Sequence, residues 1–472
     1  MKATKRILAV VMAVMMLALM VPFAASAEST YTATIKAKEG YTISMYKLAA
    51  YDGTSDHYTA VAGVATGIKT AVEAKPVVAQ TVLTAAETAK KAGQNTGTPV
   101  GTAKADSTDG KVTFSTTEPG LYYATVTGTP VGVNVKSTGG AVFYLSDAKD
   151  ANNRSMTTAD VDISSKISDG DVTVSKKIVG SDMGDYQATA KIGEEVTFQL
   201  TASVTGTKDE YLNSYVIHDS MAEGLDFVRV DSVAVDSTTL TVTDDYTVTS
   251  TDKSDIQIAL TADYLNDAKA GTNGFYDAAN VVVTLTGTLN ENAVVGRKNS
   301  DDATAYDNIV ANYNKDSLSY KNKYNAESTK NGNTVHVYTF SLPVEKVDAT
   351  NNNKITADAA TFQLTGTNYS KTSATVDGVV TFSGLKAGTY TLKETAAPKG
   401  YNINNTEYTV VIASDGTITM GNDTITKVTV GDTPIIVPAT GGQGTMIFTI
   451  IGASLIACAG IFFIIFKRRT SK

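Results

Sequence analysis

The sequence predicts an all-β chain: tandem β-sandwich domains in a rod, the first with a helical insertion, ending in a C-terminal transmembrane helix. Three observations predict it. Thr, Val and Tyr are plentiful and Trp is absent, a composition that favours strands. Strand-sized apolar runs recur between Gly, Asn and Asp, the pattern of sandwiches. Residues 446–466 carry no charge, a run long enough to cross a bilayer.

The elements follow in order. The chain opens with MKATKR, runs apolar over residues 7–21 and reaches AASAEST. Basic residues, an apolar run and a small-residue site predict a signal peptide over residues 1–27, cut after Ala27. Residues 28–168 alternate strand-like runs (YTATIKA, YTISMYKLAAY, KVTFS, GLYYATVTG, GAVFYL). One Ala-rich stretch, residues 68–92, reads as helical, with Pro76 bending it or marking its start. Residues 169–341, from DVTVSKKIVG through EEVTFQLTASV and NVVVTLTGTL to TVHVYTF, predict a second domain, a β-sandwich. Residues 342–436 predict a third, compact sandwich, and residues 437–472 hold VPATGG, the apolar span and a basic tail. Lys467, Arg468 and Arg469 at the end of the span should stay cytoplasmic. No fixed-period repeat relates the domains, which argues against a solenoid.

The lone cysteine, Cys458, lies inside the apolar span, so residues 28–436 have no disulfide to stiffen them. The net charge of −8 gives no footprint for nucleic acid. His57, His218 and His336 lack ligand spacing. DATNNNKITADA offers oxygens at the first, third and fifth positions of a calcium-like loop but lacks the glycine at six and the glutamate at twelve. No cofactor, metal or enzyme acting on an external substrate is expected.

The informative residues are charges in line with apolar faces, since alternate residues of a strand share a face. Tyr390, Leu392 and Glu394 share one; so do Phe340, Leu342, Val344 and Lys346, unless Pro343 interrupts that strand; so do Val428, Val430 and Asp432. An isolated buried ion costs several kcal/mol or neutralises itself, burial lowering a lysine's pKa and raising a carboxyl's. The neutral amine is a nucleophile, and a protonated Glu394 can donate to the Asp432 carbonyl, an arrangement that favours amide formation between Lys346 and Asp432 with loss of water. In the second domain Val172, Val174, Lys176 and Ile178 share a face, as do Tyr215, Ile217 and Asp219, and Asn314, Leu318 and Tyr320. There asparagine is the electrophile and ammonia the leaving group. Lys177 replaces Lys176 if the register slips, Asn308 and Asn312 compete with Asn314, and a cross-strand ion pair is the plain alternative for either set.

The run Gly378, Phe382, Leu385, Gly388, Tyr390, Leu392, Glu394, Pro398, Gly400, Tyr401 resembles the E-box of the CnaB-type modules of Gram-positive pilins and adhesins, which are Ig-like, Cna-type sandwiches. KIGEEVTFQLTASV, VIHDSMAEGL and NKDSLSY resemble the D2 domain of fimbrial backbone subunits. In those families Lys–Asn or Lys–Asp isopeptide bonds form without an enzyme, promoted by a nearby acid. The resemblance implies the trios Lys176–Asp219–Asn314 and Lys346–Glu394–Asp432, with Asp219 and Glu394 as the promoting acids. Val437, Pro438, Ala439, Thr440 and Gly441, followed by the span and basic tail, resemble a cell-wall sorting signal, with Val437 where leucine is usual. That implies cleavage by a sortase between Thr440 and Gly441. In the family's shaft pilins a lysine at the end of the first domain accepts the next subunit; in DVDISSKISDGD this corresponds to Lys166, with Ser164 and Ser165 in place of Tyr-Pro and with Lys136 and Lys149 as lesser candidates.

The resemblance implies the structural shaft subunit of a covalently polymerised pilus, supporting adhesion. It is secreted, membrane-held before processing, then anchored to the cell wall. The implied partners are a sortase, identical subunits, peptidoglycan, ancillary pilins and host ligands. The alternative is a monomeric wall-anchored adhesin or an ancillary pilin at the tip or base.

Overall fold

The computed structural model describes residues 29–52, 57–106, 108–149, 155–296, 312–436 and 444–470. The signal-peptide segment, Asn308 and the run Val437, Pro438, Ala439, Thr440, Gly441 lie outside the described residues. The chain divides into two compact units, the second taking up the chain from Thr339 together with Val295 and Gly296.

Strands dominate, as the composition predicts. In residues 29–170, Tyr31–Lys36 pairs antiparallel with Lys111–Thr116 and parallel with Thr158–Asp162. A larger sheet is built around Thr42–Asp52 and Gly120–Gly128. The predicted helical stretch is two helices, Thr66–Val72 and Ala79–Lys91, with Pro76 in the segment between them. Proline cannot continue an i→i−4 ladder. Ile68, Val72, Val82 and Ala86 from these helices pack on Leu48, Leu121 and Tyr123 of the sheet.

Residues 174–338 of the same unit form a sandwich. One sheet runs in the order Val174–Ile178, Glu195–Ser203, Asn280–Leu289, Leu225–Val235, Thr238–Thr239. The facing sheet runs Gln187–Thr189, Glu327–Tyr338, Asn312–Asn322, Leu212–Met221, Asp255–Leu260, Tyr246–Asp252. Phe198, Leu200, Val283 and Leu285 share one core with Ile217, Ile256, Leu318 and Val335, the inward halves of alternating strands. The strand bearing Lys176 lies at the edge of the first sheet, whereas those bearing Asp219 and Asn314 are adjacent in the middle of the second.

The second unit holds another pair of sheets. One runs Val379–Leu385, Phe340–Asp348, Val428–Pro434, Tyr401–Asn402. The other runs Tyr369–Ala374, Thr361–Gly366, Gly388–Ala396, Glu407–Ile412, Ile418–Met420, Asp423–Ile425. Pro343 does not interrupt its strand. At Pro343 only Thr381 is paired, and the second neighbour joins at Val344, an edge-like position that tolerates proline. Gly444–Arg469 is a helix, and within it Thr445–Arg469 is long and apolar enough to cross a membrane.

Candidate functional site: two buried lysine clusters

The strand Val174–Ile178 buries Lys176 and Ile178 and exposes Lys177, so the register places Lys176 inside. The facing strands bury Asp219 and Asn314 by the same alternation. The side chains of Lys176 and Asp219 are 0% exposed. Lys176 Nζ donates a short hydrogen bond to Asp219 Oδ2, another to Asn314 Oδ1 at 2.6 Å and a third to the Lys315 carbonyl at 2.8 Å. All three ammonium protons are used, and the amine stands against the side-chain carbonyl of Asn314. Asn312 shares the parity of Asn314 but is spent elsewhere: its Oδ1 accepts from Val294 N–H and its Nδ2 donates to the Val294 and Val337 carbonyls.

Electrostatics push this cluster toward neutral forms. Burial lowers the pKa of Lys176, against the pull of Asp219 and Asp316. Burial likewise raises that of Asp219, against the Lys176 charge and hydrogen bonds from Lys176 and Asn314. A neutral amine beside a protonated carboxyl is the state in which an amine attacks a polarised carbonyl.

Two residues of this site escape the reading of the sequence. Asn333 brackets the Lys176 backbone: its Oδ1 accepts from Lys176 N–H at 2.7 Å and its Nδ2 donates to the Lys176 carbonyl at 2.9 Å. It sits in a register shift opposite Lys315 and Ser317, which an Asn-Gly-Asn interruption of the strand could have signalled. Asp316 shares the parity of Asn314, Leu318 and Tyr320 and is also buried; that parity was its available signal.

In the second unit Lys346, Glu394 and Asp432 meet with side chains 0% exposed. Lys346 Nζ lies 3.0 Å from Glu394 Oε1 and touches Asp432 Oδ1, neither contact having hydrogen-bond angles. The ring of Phe362 lies 5.8 Å below the same Nζ, within cation–π range. Lys346 and Asp432 stand on neighbouring parallel strands, offset by two residues, with Lys346 opposite Val430 and Asp348 opposite Asp432. Glu394 comes from the facing sheet. Burial raises the pKa of Glu394, opposed by the Asn404 backbone N–H and by Lys346. Asn404 was not anticipated: its N–H donates to Glu394 Oε2 at 2.8 Å while its Nδ2 donates to the Gly431 carbonyl at 3.0 Å, tying the acid to the strand of Asp432.

The structure thus brings each expected trio together. Lys166 stands apart from both. It closes the short helical turn Ser164–Lys166, is exposed, and donates from Nζ to the Gly140 carbonyl at 2.5 Å. Lys136 is half-buried, reaching the Val204 and Gly206 carbonyls at 3.4 and 3.3 Å, and burial lowers its pKa. The Lys149 side chain lies outside what the structure describes.

Residues 340–424 match the family model of the SpaA prealbumin-like fold domain. Over 254 residues the chain is 24% identical to the trypsin-resistant surface T6 protein of Streptococcus pyogenes serotype M6, a match spanning 50% of this chain and 45% of that protein. The solved T6 backbone pilin of serotype M6 Streptococcus pyogenes superposes with a TM-score of 0.54 at 18% identity, covering 82% of this chain and 80% of that one. This chain shares the backbone-pilin fold. The RrgB pilus protein of Streptococcus pneumoniae is similar at a TM-score of 0.52 and 12% identity, covering 88% and 100% of the two chains. The major pilin SpaD of Corynebacterium diphtheriae gives 0.50 at 18% identity, covering 86% and 98%. The sequence predicts an all-β chain of tandem sandwiches; the chain is mostly β, in tandem domains like those of these pilins.

Proposed function

We propose that this chain is the repeating shaft subunit of a covalently polymerised, cell-wall-anchored pilus, locked internally by two amides. The observation that carries this reading is the cluster of Lys176, Asp219 and Asn314, with the lysine and acid side chains 0% exposed, in a chain with the backbone-pilin fold. Charges enclosed so completely are seldom a source of net stability as an ion pair. As reactants their placement has a use. Lys176 Nζ attacks Asn314 Cγ, Asp219 in its protonated form donates to the developing oxyanion, and ammonia leaves. In the second unit Lys346 attacks Asp432 Cγ with Glu394 in the same role, and water leaves.

The rest of the reading is consistent with this. Relatives and structural neighbours carry the names of a surface protein and of pilins, and the C-terminal apolar helix suits a membrane hold before processing. A sortase would cleave after Thr440, joining the chain to Lys166 of an identical subunit or to peptidoglycan; ancillary pilins and host ligands are further partners. The chain transforms no external substrate in this reading. An immunoblot of muramidase-released wall material tests it. A ladder of regularly spaced bands is the expected outcome, and a single band would instead favour a monomeric adhesin.

A further inference from the structure

Asp219 and Asp316 are directly opposite one another in the antiparallel pairing of Leu212–Met221 with Asn312–Asn322. Both are buried. Like charges in that position are destabilising, and a single lysine cannot neutralise two carboxylates. Asp316 has a prepared place. Across from it the partner strand shifts register at Gly332 and Asn333, and a Cβ on Gly332 would overlap the Asp316 carboxylate. Neither carboxylate oxygen accepts a hydrogen bond from another residue, so nothing structural occupies this acid. It borders an open groove of about 990 Å³ that also takes in His218, Asp255, Lys315 and Glu327, so the buried cluster has one wall within reach of solvent.

Amide formation at Asn314 is more demanding than at Asp432. The carboxamide is a weak electrophile, and its nitrogen leaves only when protonated. One group must accept a proton from the attacking amine while another holds a proton at the carbonyl. We propose that Asp316 is the proton acceptor for Lys176, and that Asp219 is the proton donor at Asn314. This rests on the internal-amide reading above. Lys176, starting as the ammonium, gives one proton to Asp316 across one water of the groove, and the lone pair so freed bonds to Asn314 Cγ. The nitrogen sheds a second proton as the tetrahedral centre forms, Asp219 delivers a proton to Nδ2 and is restored by that second proton, and ammonia departs. Asp316 returns its proton to the groove. Burial raises the pKa of Asp316 from 3.8 to about 6, with Lys176 pulling it down and Asp219 pushing it up, close to neutrality where a general base works well.

The test is the rate of ammonia loss. The full chain, synthesised in denaturant and refolded in detergent by dilution, is sampled over time by intact mass across a range of pH. In the wild type the rate should fall as pH drops below about 6 and level off above it. Asp316→Asn should slow closure by about 10²-fold and lose the inflection near pH 6 that Asp316 imposes. Asp316→Glu should recover part of the rate. Asp316→Asn closing at the wild-type rate with the wild-type pH profile would overturn the proposal. So would a wild-type rate with no fall on the acid side, a result that needs no folded variant. A wild-type chain that never loses ammonia would overturn the internal-amide reading and this proposal with it, whereas normal wild-type closure with an indifferent Asp316→Asn removes this one alone.

Discussion

Lys176 and Asn314 stand on opposite sheets of one sandwich, 138 residues apart in sequence, with Nζ 2.6 Å from Oδ1. A bond between them would fasten an edge strand of one sheet to a central strand of the other. Lys346 and Asp432, by contrast, would join two neighbouring strands of one sheet. The two units would be locked in different ways, one across the core and one along the sheet.

Intact mass is the first measurement. The mature folded chain should weigh less than its sequence by one ammonia and one water, and tryptic mapping should recover branched peptides joining Lys176 to Asn314 and Lys346 to Asp432. An unreduced mass in natively folded protein is the contrary result.

Removing the cross-sheet amide should be costly. By loop-closure entropy a link closing 138 residues is worth about 5 kcal/mol, strain aside. Asn314→Ala should therefore lower the thermal midpoint and speed proteolysis of the first unit while leaving the strands in place. A midpoint matching wild type would show that the link, if formed, holds nothing.

Glu394→Gln keeps the acceptor for the Asn404 N–H but has no acidic proton to transfer. The Lys346–Asp432 peptide should disappear from the tryptic map, and the water loss from the intact mass, with the Lys176–Asn314 link unaffected. A persistent Lys346–Asp432 peptide would remove Glu394 from its assigned part.

Stability before closure should depend on pH through Asp316. Its folded pKa, raised from 3.8 to about 6, means that the folded chain binds this proton more tightly than the unfolded one. The contribution of Asp316 to stability is therefore greatest at acid pH, is lost as pH rises from about 4 to about 6, and then levels, the difference being on the order of 3 kcal/mol. Facing Asp316 are Lys176 from the first sheet and Asp219 across the strand pair, with Lys315 on its own strand and His218, Asp255 and Glu327 around the groove. In an Asn314→Ala background, where the Lys176 amine stays unacylated, adding Asp316→Asn should flatten the slope, leaving the share of Asp219, whose pKa burial also raises. An unchanged slope would point to one of the other groups.

Lys166→Ala in the native host should collapse the wall-extract ladder to monomer, and a peptide joining Thr440 to Lys166 should be found in the wild type. If the ladder persists, half-buried Lys136, with its lowered pKa, is the next variant to make.

How much of this was legible beforehand differs residue by residue. Period-two alternation determined that Lys176, Asp219, Lys346, Glu394 and Asp432 face inward, because a strand's side chains have only two directions to choose from. The same rule separated Lys176 from exposed Lys177 once the strand's face was set. It could not separate Asn312 from Asn314, which share a parity and are both buried. Only the packing of the facing sheet decided that Asn314 meets the lysine while Asn312 serves the Val294 and Val337 backbones. Nor could alternation reveal that Asp316 opposes Asp219, or that Asn333 brackets the Lys176 backbone from a register shift. Parity is a local property of one strand, set by its own backbone. Partner, depth and register arise between strands far apart in sequence, and those only the folded chain decided.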